Sequence, residues 1–324
     1  MPKFRVIHTD PDLHPLDDTL LGLLEQGNAE VALFRSDEKQ FPAGAEDADA
    51  ILNADFKLTA ALIASLHRCR IISRFGTGVD NIDVEAATAR GIPVANVPEF
   101  CSDEVANRAW TLLLACASHL LPADLSVRQG EWRSPKIVET LQIEGQTLGL
   151  IGFGKIARAV AKRGRAFGMK LLAHDPYLSL AVAQQEGATL CDLETLLRNS
   201  DFISLHVPST PDTHRLINAK TLELMKPTAV LVNTARGALV DEAALAERLQ
   251  QNLLAGAGLE VFDLEPPSPS NPLLLSDRVV LTPHSAAHTK AALGRVRKSC
   301  VEAVVRVLSG QRPIHVVNPS VLEN

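Results

Sequence analysis

Short apolar runs alternate along most of this chain with longer amphipathic segments, a pattern that predicts parallel strands covered on both faces by helices. In the first third, strands are expected at residues 4–8, 31–34, 50–52, 71–73 and 94–97. Ser102 then offers a helix cap, with Asp103 and Glu104 in the first turn and an apolar series at Val105, Ala109, Leu112, Leu113 and Cys116. The apolar stretch 109–121 is interrupted by Ser118 and His119 and is too short to span a bilayer, so it reads as a buried helix. Further strands are expected at 170–174, 202–207, 229–233, 255–261 and 279–281, followed by a last helix at 290–308. The fold class is therefore α/β, with strands enough for two Rossmann-like domains built on doubly wound parallel sheets.

One segment specifies a cofactor. The apolar run 147–151 ends in Gly152-Phe153-Gly154-Lys155-Ile156-Ala157, a dinucleotide fingerprint with Ala in its third position. Gly152 suits a tight turn, Gly154 lets backbone approach a pyrophosphate, and the helix that follows presents unpaired N–H groups and a partial positive charge. Asp175 stands 23 residues past Gly152, where a carboxylate is placed to hold the adenosine ribose hydroxyls. Asp175 would repel a ribose 2′-phosphate, and Pro176 and Tyr177 provide no Arg to receive one. NAD is the expected cofactor. A dinucleotide fold that starts so late needs something before it, and an α/β lid with a cleft between the two is the economical answer.

Composition narrows the partners. At 324 residues, 46% apolar and 22% charged, the chain has the make-up of a soluble globular protein, and its net charge of −6 argues against nucleic-acid binding. Lys162, Arg163 and Arg165 read as a solvated helix face. Cys69, Cys101, Cys116, Cys191 and Cys300 form no CxxC pair and show no metal-like spacing with histidine, so neither disulfides nor a metal is expected and a reducing cytoplasm fits. The N-terminus runs directly into a strand pattern, and neither a secretory leader nor a membrane anchor is expected.

Three polar residues fall just past expected strand ends, where open α/β sheets place ligands. Arg236 follows Val232-Asn233-Thr234-Ala235 and presents a planar fork suited to a carboxylate, although a surface salt bridge would also explain it. His284 follows Leu281-Thr282-Pro283 and could take a proton from a hydroxyl as hydride leaves the adjacent carbon; alone, it could equally be structural. Glu265, in Phe262-Asp263-Leu264-Glu265-Pro266-Pro267, adds a carboxylate able to orient an imidazole, in a loop stiffened by proline. A solvated acid on a turn is its other reading. As a set, the three suit hydride transfer between a 2-hydroxy acid and NAD.

These residues and their order resemble the D-isomer-specific 2-hydroxyacid dehydrogenase family over nearly the whole chain. The matching segments are 76–83 (Gly-Thr-Gly-Val-Asp-Asn-Ile-Asp), 149–157, 174–177, 232–237 with 240–242, 262–267 and 282–284. The resemblance implies a substrate-binding lid domain of residues 1–101 plus 289–324. The NAD-binding Rossmann domain, 102–288, would be inserted in it, and two NAD domains would pair as a homodimer. It implies that Arg236 holds the substrate carboxylate, that His284 is the acid/base and that Glu265 is its partner. Arg74, Thr77 and Gly78 would join Arg236 and His284 around the substrate, the Thr77-Gly78 loop donating N–H groups. Cofactor contacts are implied for Thr77, Gly152, Gly154, Lys155, Ile156, Asp175, Val207, Thr234, Ala235, Arg236, Glu260, His284, Ala286 and Ala287. Phosphoglycerate dehydrogenases and the C-terminal-binding-protein-like branch, the latter through residues 97–104, are the nearest by pattern.

The chain departs from that pattern in three places. Glu260 stands where the family usually has Asp to receive the nicotinamide carboxamide, and the added methylene moves the acceptor. Ser285-Ala286-Ala287-His288 replaces a more glycine-rich loop, and His288 reads as a packing or surface residue. Arg74 matches a phosphate-holding residue of phosphoglycerate dehydrogenases, yet Asn53 replaces a second Arg, which leaves glyoxylate and hydroxypyruvate as credible as 3-phosphohydroxypyruvate. The chain ends at Asn324 without a regulatory domain, so feedback by an amino acid is not expected. An NADH-sensing, corepressor-like binding protein is the alternative; it would need an apolar groove that no pattern in residues 1–101 marks. A formate-type oxidation would need no proton acceptor, and Glu265 beside His284 argues against it.

Overall fold

The computed structural model describes residues 3–34, 44–132 and 139–323. The chain forms two compact units, Met1–Phe100 with Thr289–Asn324 and Cys101–His288.

The first unit is built from β1 (Phe4–His8), α1 (Asp18–Gln26), β2 (Ala29–Leu33), β3 (Ala50–Asn53), α2 (Ala60–Ser65), β4 (Ile71–Arg74), α3 (Val84–Ala89) and β5 (Val94–Ala95). Its five strands are all parallel, in the order β2-β1-β3-β4-β5. β3 is buried at every position and β4 at its first three, as near-continuous apolar strands covered on both faces should be. The edge strand β5 is shorter than the expected 94–97: Ala95 bridges Val316 and the N–H of Val94 donates to Asn318 Oδ1, while Val97 N already donates to the carbonyl of Gly76 in the loop after β4.

The second unit contains α4 (Ser102–Ala117), α5 (Leu120–Arg128), β6 (Thr147–Ile151), α6 (Lys155–Ala166), β7 (Lys170–His174), α7 (Leu180–Gln185), β8 (Thr189–Leu190), α8 (Leu193–Asn199), β9 (Phe202–Leu205), α9 (Ala219–Glu223), β10 (Val230–Asn233), α10 (Glu242–Gln250), β11 (Gly256–Leu259) and β12 (Val279–Leu281). The seven parallel strands run β12-β11-β10-β9-β6-β7-β8. Strand order reverses between β9 and β6, which makes the carboxyl ends of these strands the place where ligands lie in such sheets. The last helix, α11 (Lys290–Leu308), returns to the first unit and buries Val296, Cys300, Val301 and Val304 there.

Further expectations are corrected, among them the strand expected at 202–207, which ends at Leu205. The apolar stretch 109–121 is not one buried helix: Ser118 Oγ donates to the carbonyl of Leu114, His119 adopts φ 47°, and the chain bends by 62° into α5. Leu120, Leu121 and Leu125 of α5 are consequently exposed, whereas α4 buries nine side chains. β11 is shorter than 255–261, because the chain leaves the ladder at Glu260 to build the site below. The two-residue strand β8 carries no pattern that distinguishes it from a turn. Among the described residues, no single helix is long and apolar enough to cross a membrane.

Candidate functional site

The end of β6 and the start of α6 fit the nucleotide that the fingerprint implies. Gly152 has φ 84°, and a Cβ there would lie 2.8 Å from the backbone of His206 and from Val207 Cγ1, so only glycine permits this turn. Gly154 is the N-cap of α6 and has no side-chain cap, so the positive end of the helix faces the glycine turn without a capping carboxylate or hydroxyl. A Cβ on Gly154 would meet nothing within 4 Å, the open approach that a diphosphate needs. At the end of the neighbouring strand β7, Asp175 is oriented by two backbone donors: Phe153 N to Oδ2 and Tyr177 N to Oδ1, each 2.9 Å. Thr234 Oγ1, just past β10, is buried without a hydrogen-bond partner, an orphaned polar atom that a bound group would satisfy.

The loops after β10, β11 and β12 bring the three sequence-predicted polar residues together. Asn233 closes the first of these loops, its side-chain oxygen accepting from Ala235 N at 3.0 Å and its amide donating to the carbonyl of Arg236 at 2.8 Å. Arg236 is half-buried, with Nη1 on the carbonyl of Ala235 at 2.7 Å. Gly237 is required next to it, because a Cβ there would lie 1.8 Å from the carbonyl carbon of Phe262. That contact seats the loop 262–265, whose far side is fixed by Glu242 accepting from Asp263 N at 2.7 Å.

Glu265 Oε1 accepts from Phe262 N at 3.0 Å, and Oε2 meets His284 Nδ1 at 2.7 Å. Burial pushes the Glu265 carboxyl up, but the hydrogen bonds from His284 and Phe262, with the charges of His284 and Arg236, outweigh it and hold the group below its ordinary value. The ionised carboxylate accepts the Nδ1 proton, which leaves Nε2 of the half-exposed ring as the proton-exchanging atom. His284 has φ 49°, a left-handed conformation uncommon outside glycine, with its N–H on the carbonyl of Glu260 at 2.9 Å.

Glu260 is buried, and its carboxylate is engaged by its own chain. It accepts from Thr282 Oγ1 and Ala286 N, and Oε2 lies 3.3 Å from Arg108 Nε. Arg108 Nη2 also reaches Ser285 Oγ at 3.3 Å. Sequence reasoning missed Arg108 and gave the Thr282 side chain no role; α4 also carries Asp103, Glu104, Asn107 and Thr111, so nothing local distinguishes Arg108 from a solvated polar residue. Val207 packs near Gly152, Ala287 follows the 282–286 loop half-buried, and His288 is exposed. Arg74, the last residue of β4, and Thr77 and Gly78 just past it belong to the other unit. There Arg74 Nη1 donates to the carbonyl of Phe75 at 2.9 Å and Thr77 Oγ1 to that of Val97 at 3.1 Å.

Residues 110–286 match the family model described as D-isomer specific 2-hydroxyacid dehydrogenase, NAD binding domain. The chain is 40% identical over 316 residues to a D-3-phosphoglycerate dehydrogenase of Methanocaldococcus jannaschii, covering 97% of this chain and 59% of that protein. It is 40% identical over 272 residues to a glyoxylate reductase of Thermococcus litoralis, covering 82% of each. Among solved structures, a D-lactate dehydrogenase of Aquifex aeolicus complexed with NAD and lactic acid superimposes with a TM-score of 0.88 at 28% identity, covering 97% of this chain and 99% of that one.

Proposed function

Because the chain belongs to the D-isomer specific 2-hydroxyacid dehydrogenase family, we propose that it is an NAD(H)-dependent oxidoreductase interconverting a D-2-hydroxy acid and its 2-oxo acid. The observation that carries this reading is the 2.7 Å contact between His284 Nδ1 and Glu265 Oε2, made where three strand ends also present Arg236. The bound nicotinamide supplies the hydride acceptor or donor. His284 Nε2 takes the hydroxyl proton during oxidation, or returns one to the carbonyl oxygen during reduction, while Glu265 keeps the ring oriented. The Arg236 guanidinium pairs with the substrate carboxylate and so fixes the adjacent carbon for transfer.

In this reading residues 102–288 bind NAD through Gly152, Gly154, Asp175 and Thr234. Residues 1–101 with 289–324 form the substrate-binding domain, where Arg74 and the N–H groups of Thr77 and Gly78 act. Asn53, at the place of a second phosphate-binding Arg, donates to Thr9 Oγ1 at 3.1 Å and to the carbonyl of Phe56 at 2.8 Å. A neutral amide already engaged in this way favours a small 2-oxo acid, glyoxylate or hydroxypyruvate, over a phosphorylated one. The exposed leucines of α5 support a homodimer formed through the NAD domain. The scattered free thiols suit a cytoplasmic location.

NADH consumption with glyoxylate, hydroxypyruvate, 3-phosphohydroxypyruvate and pyruvate tests the proposal. The first two should be turned over best, and His284→Ala should lower kcat on the order of 10²- to 10⁴-fold. Undiminished turnover by His284→Ala would remove the mechanism, and tight NADH binding without turnover of any 2-oxo acid would favour an NADH-sensing role.

A further inference from the structure

The packing of α4 on β11 places an arginine where no local sequence signal puts one. A Cβ on Gly258 would lie 2.7 Å from Leu112 Cβ, and one on Gly256 3.8 Å from Cys116 Cβ, so helix and strand run in opposite directions in close contact. Four helical residues advance roughly 6 Å and two strand residues roughly 6.6 Å, so the pairing 116 with 256 and 112 with 258 continues to 108 with 260. The salt bridge from Arg108 Nε to Glu260 Oε2, 3.3 Å long, falls at that next step.

Glu260 and Arg108 between them grip almost every residue around His284. The Glu260 carboxylate accepts from Thr282 Oγ1 and Ala286 N, its carbonyl accepts from His284 N at 2.9 Å, and Arg108 Nη2 meets Ser285 Oγ at 3.3 Å. His284 itself sits at φ 49°, a conformation that persists in a non-glycine residue only when its surroundings enforce it. A carboxylate 1% exposed, with protein donors on both oxygens, is poorly placed to serve as the free acceptor for a nicotinamide carboxamide.

We propose that Arg108 and Glu260 are positioning residues that lock the 282–286 loop and hold His284 in its left-handed conformation, and that Glu260 does not accept a hydrogen bond from the nicotinamide carboxamide. The first half rests on His284 being the acid/base; the second concerns cofactor binding alone. An aspartate at 260 would fall roughly 1.5 Å short of the loop donors, so the longer side chain and Arg108 act as a matched pair.

The test compares NADH with its reduced 3-acetylpyridine analogue, whose ketone lacks the amide N–H donors. Dissociation constants for both come from calorimetric titration of the wild type, Arg108→Met, Glu260→Gln, Glu260→Asp and the milder Ser285→Ala. The proposal expects Glu260→Gln and Glu260→Asp to leave the ratio of the two constants within about threefold of the wild type. Arg108→Met and Glu260→Gln should each lower kcat on the order of 10²-fold, and their double variant should fall little further. The isotope effect with 4-deuterated NADH should rise in each, since a misplaced loop slows transfer itself, whereas general destabilisation would leave it unchanged.

A collapse of the cofactor ratio in Glu260→Gln would overturn the proposal by making Glu260 a direct acceptor. Unchanged kcat in Arg108→Met, or in Ser285→Ala if the former does not fold, would overturn the lock. A wild type inactive on every 2-oxo acid would refute the reading of the previous subsection, while the binding ratio would still decide the role of Glu260.

Discussion

Each of the two units carries histidine and carboxylate together just past the ends of its parallel strands, and the two clusters are built for opposite electrostatic ends. In the first unit, His8 at the end of β1 is fully buried, and His14 stacks on Phe75 with ring centroids 4.6 Å apart. Burial, followed by the charge of Arg297, drives His14 down to about 3, and burial also lowers His8. Asp10 meets the His8 ring through its backbone, its N–H donating to Nδ1 at 3.4 Å, while its carboxylate is turned to other donors: Oδ2 accepts from Thr9 Oγ1 at 2.6 Å and Ala54 N at 2.9 Å. In the second unit, His284 is 52% exposed and its ring meets Glu265 directly. An imidazole at a strand end is thus a neutral packing element when stacked on an aromatic ring away from water, and a proton carrier when a half-exposed carboxylate orients it. Topology supplies the location in both cases; the partner decides the role.

The largest expected effect comes from removing the carboxylate of each cluster. Glu265→Gln should lower kcat on the order of 10²- to 10⁴-fold while leaving the urea midpoint nearly unchanged, because a neutral amide cannot stabilise the charged ring formed in the reaction. Asp10→Asn should do the reverse, lowering the urea midpoint through weaker acceptance from Thr9 and Ala54 with kcat changed by less than about tenfold. Steady-state kinetics and urea denaturation of both variants decide the matter, and exchanged phenotypes would break the distinction between the two edges.

A smaller effect is expected at the other end of the second sheet. Asp175 is held by the N–H groups of Phe153 and Tyr177, so its charge is fixed beside the glycine turn. Asp175→Ala should weaken NADH on the order of tenfold and narrow the preference over NADPH, since one lost charged acceptor contributes about 1.5–3 kcal/mol at most. Fluorescence titration with the two cofactors reads both quantities, and an unchanged NADH affinity would show that the ribose lies elsewhere.

What the sequence made legible follows from how local each signal is. The strand runs, the glycine turn and the strand-end residues Arg236, Glu265 and His284 are encoded within a few residues of themselves, and the structure places all three at neighbouring loops. Arg108 is encoded 152 residues from its partner Glu260 and is visible only once the glycines of β11 admit α4. The break at His119 was hidden because Leu120 and Leu121 continue the apolar pattern of α4 while the backbone turns away. The neutral cluster of His8 and His14 was equally unreadable: stacking on Phe75 and the approach of Arg297 from α11 are contacts between distant segments.

The smallest expected effect is a difference in acid sensitivity between the clusters. His14 is ordinary in the unfolded chain, near 6.5, and about 3 when folded. Unfolded chains therefore bind a proton that the folded protein refuses once the pH drops below 6.5, and stability falls with decreasing pH from there toward 3, by at most about 1.4 kcal/mol per pH unit. Glu265 is lowered from 4.5, so its contribution is intact above that value and is lost only as the pH falls through the still lower folded value. His206, buried in the second unit and also lowered to about 3, adds the same slope to every variant, so differences between variants isolate the two clusters. His14→Phe, which keeps an aromatic ring on Phe75, should flatten the decline in urea stability between pH 6.5 and 4.5 relative to wild type, and Glu265→Gln should alter it only below 4.5. An unaltered slope in His14→Phe would mean that water reaches the first cluster and that burial does not hold His14 neutral there.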